Sequence, residues 1–136
     1  MGQLSSKLRN AEGGRLMFWC PGCDSAHSIA HGEGPGPRWG WNGNAERPVF
    51  TPSVLTWWDE PANLHDHDAM QRDLAEARRR REAGEQNVKV PTVARRCHSF
   101  VGCNGAQPGQ IVFLSDCTHA LAGQTVDLPD WPRHED

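Results

Sequence analysis

The chain has 136 residues, with 14 Gly, 10 Pro, 37% hydrophobic residues and 14 basic against 17 acidic side chains, a net charge of −3. At that length one domain with a modest core is expected, and the Gly and Pro content excludes a long-helix bundle in favour of a mostly β, small α+β fold. The near balance of charge calls for neither nucleic acid nor an anionic membrane, and no apolar run reaches the roughly 18 residues of a membrane span.

The first residues lack the apolar stretch of a secretion signal, so the protein is expected in the cytoplasm. Met1-Gly2 followed by Ser6 matches a loose myristoylation pattern, but one acyl chain without a basic patch anchors weakly. Five Cys and seven His are many for this length. An odd Cys count in a reducing compartment argues for metal ligation over disulfides, and a metal would add stability to a small core.

In chain order, residues 16–19 read as a strand entering Cys20-Pro21-Gly22-Cys23, and residues 26–29 as the strand leaving it. Residues 31–44 form a Gly- and Pro-rich loop containing Trp39-Gly40-Trp41. Residues 49–58 have strand composition interrupted by Pro52, which suggests an edge or a bulge. From 63 to 85, Leu64, Met70, Leu74 and Ala77 fall near helical spacing, Glu76 precedes Arg79 and Arg80, and Gly84 stops the helix. Arg78-Arg79-Arg80-Arg81 reads as a solvated helix face. Residues 59–94 are therefore a charged helical insertion in a single zinc-binding domain spanning 1–132, with 133–136 as a tail. Residues 97–101 and 110–117 are short strands joined by a 102–109 loop, so the fold is one of short antiparallel hairpins joined by a metal site.

Cys20-x-x-Cys23 has the spacing of a zinc knuckle, in which two thiolates take adjacent tetrahedral corners. No βαβ pattern surrounds it, which disfavours a redox pair. If Cys97 lies opposite Cys117, Ser99 faces Ser115 and Val101 faces Phe113, while His98 meets Asp116 on the other face; a slip of one residue would reverse this sorting. In that register Cys20, Cys23 and Cys97 bind Zn2+, with Cys117 or His119 as fourth ligand. Cys103 reads as a free thiol, His27 and His31 as surface residues, His65 and His67 as a solvated helix start, and His134 as part of the tail. Trp39, Trp41, Trp57 and Trp58 form either a lid on the zinc-bearing hairpins or a surface for a protein partner.

Four stretches together resemble one family: Cys20-Pro21-Gly22-Cys23-Asp24-Ser25-Ala26-His27, Arg47 through Ser53, Cys97 through Val101, and Leu114 through Val126. It is a family of small domains common in phages and prophages, sometimes labelled ammonia monooxygenase. Its relatives occur in bacterial operons beside ubiquitin-like proteins and E1- and E2-like enzymes, and are regarded as peptidases. The resemblance covers residues 14–58 and 95–132, with 59–94 and the 102–109 loop as insertions. It implies a zinc-containing hydrolase acting on a peptide or protein, such as a ubiquitin-like conjugate, in the host cytoplasm if phage-encoded.

The residues permit such chemistry in two ways. Zinc retains a water while His98 or Asp116 assists proton transfer. Alternatively zinc is structural and Ser53 or Ser99 is the nucleophile, with His98 or His119 as base and Asp116 orienting it. A competing expectation is a non-enzymatic, zinc-stabilised phage protein that binds a host protein through its Trp-rich loop.

Overall fold

The computed structural model describes residues 2–132; the tail expected at 133–136, with His134, lies outside the described residues. Two sheets and a single helix are present among them, so the mostly β expectation holds. The first sheet runs in chain order through β1 (Gly2–Gln3), β2 (Leu8–Ala11), β3 (Arg15–Cys20) and β4 (Ser25–Ala30). The second has the order β5 (Gly40–Trp41), β6 (Phe50–Pro61), β7 (Thr92–Val101), β8 (Gln110–Phe113) and β9 (Thr125–Asp127). Among the described residues, no helix is long and apolar enough to cross a membrane.

Two compact units divide the chain: one formed by residues up to Thr56 and from Arg96 onward, the other by Trp57–Arg95. In the first, strand alternation decides everything. Leu16, Phe18 and Cys20 of β3 point inward, as do His27 and Ile29 of β4 and Cys97, Ser99 and Val101 of β7. These inward residues join Leu8, Phe50, Val54, Ile111, Phe113 and Leu128 in one core shared by both sheets. The Phe18 and Phe50 rings stack across it at 6.1 Å. Each such side chain, fully buried, contributes about 1.5–3 kcal/mol.

The β3–β4 hairpin forms around the knuckle as the sequence suggests, with Cys20 opposite Ser25. The β7–β8 pairing differs from expectation by two residues: Ser99 lies opposite Phe113 and Val101 opposite Ile111. β8 stops at Phe113 and the chain turns, with Cys117 N–H bonded to the Leu114 carbonyl at 3.2 Å. An even slip leaves each side chain on its face. Pro52 follows Thr51, the last β6 residue paired with β5, so its missing N–H interrupts no ladder there. Gly102 has φ +76°, and a Cβ there would lie 2.6 Å from the Pro48 carbonyl oxygen, so this loop corner requires glycine.

In the second unit, α1 (His67–Glu82) is capped by Asp66, whose carboxylate accepts the Ala69 N–H at 3.0 Å. It ends at Ala83, just before Gly84 at φ +97°. Its buried residues are Ala69 and Ala77, whereas Leu64 and Leu74 of the expected apolar stripe are exposed. The buried side of the helix is thus lined by small alanines, with Met70 half-buried. Arg78–Arg81 are solvent-exposed as expected, with Arg79 paired to Glu76 and Arg80 to Glu85.

Candidate active site and metal centre

Cys20 ends β3, and the knuckle turn brings the Cys23 N–H to 3.4 Å from the Cys20 sulfur. Cys97, inward on β7, places its Sγ 3.8 Å from that of Cys20. His27, which the sequence reading put on the surface, is buried instead: it pairs with Phe18 on the core side of β4. Strand parity puts it there, two residues before Ile29. Potential ligand atoms of Cys20, Cys23, His27 and Cys97 all lie within 4.8 Å of one another, so this cluster could hold a metal ion. His27 Nε2 is buried with no hydrogen-bond partner.

Sharing of protons splits the three thiols. Cys20 is drawn far below the usual thiol range by hydrogen bonds from the Cys23 and then the Cys97 side chain. Cys23 is pushed up to about 12 by its bond to Cys20. Cys97 is held well above its usual range by Cys20 and then Cys23. Three thiols drawn together in this way form a cluster prepared to exchange protons for a cation.

Cys97 also belongs to a second group with Cys117 and His119. His119 Nδ1 accepts the Leu121 N–H at 3.2 Å, and its Nε2 lies 3.5 Å from the Cys97 sulfur. A neutral ring with its lone pair used at Nδ1 carries its proton at Nε2, so His119 donates to Cys97. Cys117 makes two contacts to one residue. Its sulfur accepts the His98 N–H and its thiol donates to the His98 carbonyl, both at 3.2 Å. Burial pushes this thiol up.

On β7 the residue after inward Cys97 points outward, and this residue is His98. Its Nε2 is 3.1 Å from Ser53 Oγ on β6, and its Nδ1 is 3.3 Å from Asp116 Oδ2 in the turn after β8. A carboxylate only accepts, so Nδ1 carries the proton and Nε2 offers its lone pair to the serine hydroxyl. Arg96 Nη1 stands 3.7 Å from the same Asp116 oxygen. The Trp39 indole N–H holds the Ser53 carbonyl at 3.0 Å. Ser99 is instead fully buried on the core face, its hydroxyl unpartnered. Cys103 stands apart, its thiol 3.5 Å from the Phe50 carbonyl.

Of the residues singled out in the sequence, Ser53, His98 and Asp116 thus meet on one face of β7, and Cys20, Cys23 and Cys97 meet on the other. His27 is the member that sequence reasoning missed; its parity with Ile29 was the available signal.

A hydroxyl, an imidazole and a carboxylate thus stand in hydrogen-bonded series, with a thiol-rich cluster on the opposite face of the strand, an arrangement that a serine nucleophile with its base and orienting carboxylate would use. The chain belongs to the BubE family, described as bacterial ubiquitination-like system serine protease, whose model matches residues 2–109. That span holds Ser53 and His98, while Asp116 lies beyond it. No curated protein and no solved structure matches the chain.

Proposed function

We propose that the chain is a serine peptidase of a ubiquitin-like conjugation system, with Ser53 as nucleophile, His98 as general base and Asp116 as the group that orients it. The observation that carries this reading is the uninterrupted series from Ser53 Oγ to His98 Nε2 and from His98 Nδ1 to Asp116. Ser53 Oγ attacks the substrate carbonyl carbon as its proton passes to His98 Nε2. The C–N bond then breaks, and His98 returns that proton to the leaving amine. Water repeats the sequence on the acyl-enzyme, releasing the carboxylate and restoring the Ser53 hydroxyl. Asp116 accepts from Nδ1–H throughout and stabilises the imidazolium.

The metal is zinc in this reading, and its role is structural. Zinc–sulfur bonds of about 2.3 Å at tetrahedral angles separate sulfurs by about 3.8 Å, in agreement with the Cys20–Cys97 spacing. Cys20, Cys23 and Cys97 would hold it, and the unpartnered His27 Nε2 supplies the fourth donor. His119 then hydrogen-bonds a ligating sulfur, the usual task of a group just outside a metal's ligands. Bound zinc would fix the thiolates and join the two sheets.

The substrate we infer is a ubiquitin-like protein extended at its C-terminus or joined to a target, cleaved in the cytoplasm. The test is a fluorophosphonate probe together with such a precursor. Wild type is expected to be labelled at Ser53 and to cleave the precursor. Ser53→Ala abolishes both, and His98→Ala lowers cleavage by about 10³-fold or more. Labelling absent from wild type, or undiminished in Ser53→Ala, would overturn the assignment.

A further inference from the structure

β8 ends at Phe113, yet the next segment stays zipped to β7 without being a strand. Leu114 N–H reaches the His98 carbonyl at 2.9 Å and Thr118 N–H the Arg96 carbonyl at 2.9 Å. Between them, side chains replace a ladder. Cys117 sulfur takes the His98 N–H and its thiol serves the His98 carbonyl. Thr118 Oγ1 takes the Arg96 N–H at 3.0 Å and donates to the Arg96 carbonyl at 3.2 Å. Asp116 sits directly before this pair, and both residues that its carboxylate touches, His98 and Arg96, are the ones clamped.

We infer that Cys117 and Thr118 are positioning residues, which clamp the main chain of His98 and Arg96 and thereby hold Asp116 in register with the imidazole. The inference rests on the serine-peptidase reading above. It gives Cys117 a task on the main chain of His98, at 3.2 Å from both its N–H and its carbonyl, beside its place next to Cys97. A serine in its place retains one donor and one acceptor; an alanine retains neither.

The experiment measures three quantities on full-length zinc-loaded protein: the rate of fluorophosphonate labelling at Ser53, zinc content by elemental analysis, and kcat and KM on a cleavable precursor. Cys117→Ala is expected to keep its zinc and its KM while labelling rate and kcat fall about 10- to 100-fold, the cost of a misplaced base. Cys117→Ser restores most of that loss. Loss of zinc from Cys117→Ala would make Cys117 a ligand and overturn the inference, and so would unchanged labelling with zinc retained. Thr118→Val against Thr118→Ser repeats the comparison without touching a sulfur, and serves if Cys117→Ala does not fold; equal rates for that pair would overturn it too. Absence of labelling in wild type would instead overturn the peptidase reading, so the two failures are distinguishable.

Discussion

A Cβ at Gly22 would lie 2.2–2.5 Å from three atoms of the His119 ring, so even alanine would push that ring off the Cys97 sulfur. Gly22→Ala is expected to cost about 1–3 kcal/mol, as overpacking does, and urea denaturation of the two proteins checks it. The knuckle thus needs its glycine for the ring packed above it, since Gly22 has no positive φ. Asp116→Asn tests the opposite side of β7. The amide can offer an N–H to Nδ1 and stabilise the wrong tautomer, so kcat should fall by about 10³- to 10⁴-fold while the fold survives. Circular dichroism beside the precursor-cleavage assay separates the two outcomes.

The helix stands on a cap that a single substitution can remove. Asp66→Ala leaves the Ala69 N–H without its acceptor and should destabilise the Trp57–Arg95 unit by about 1 kcal/mol, read by thermal unfolding. That helix, the knuckle hairpin and the inward face of β7 were legible in the sequence, because period and turn chemistry are local. The outward meeting of His98 with Asp116 was expected from strand pairing, but with the pairing two residues out. Parity survives such an error, since it depends on even and odd positions alone. What could not be read was non-local. β1 and β2 give little signal in so few residues, and Leu8 of β2 is buried only in a core to which the second sheet also contributes. The turn after Phe113 replaces ladder bonds by side-chain bonds, which no periodicity reveals. His27 looked like one surface histidine among seven until Phe18 fixed its face.

Cys20 belongs to the first sheet and Cys97 to the second, so a metal held by both acts as a cross-link between the sheets of the larger unit. Chelation should lower the melting temperature of zinc-loaded protein by several degrees and re-addition of zinc should restore it. Differential scanning calorimetry, with metal content verified, checks this; an unchanged melting curve in metal-free protein would defeat the structural role. Because the thiol cluster and the Ser53–His98–Asp116 series use opposite faces of one strand, they also share its count of residues. Inserting a single residue between Cys97 and His98 would turn one of the two toward the wrong side, removing it from the thiol cluster or from the series with Ser53 and Asp116. The same insertion within residues 103–108 would only lengthen a loop. The dipeptide is thus a place where this chain tolerates a change of length poorly, although neither residue need be altered for one of the two faces to be lost.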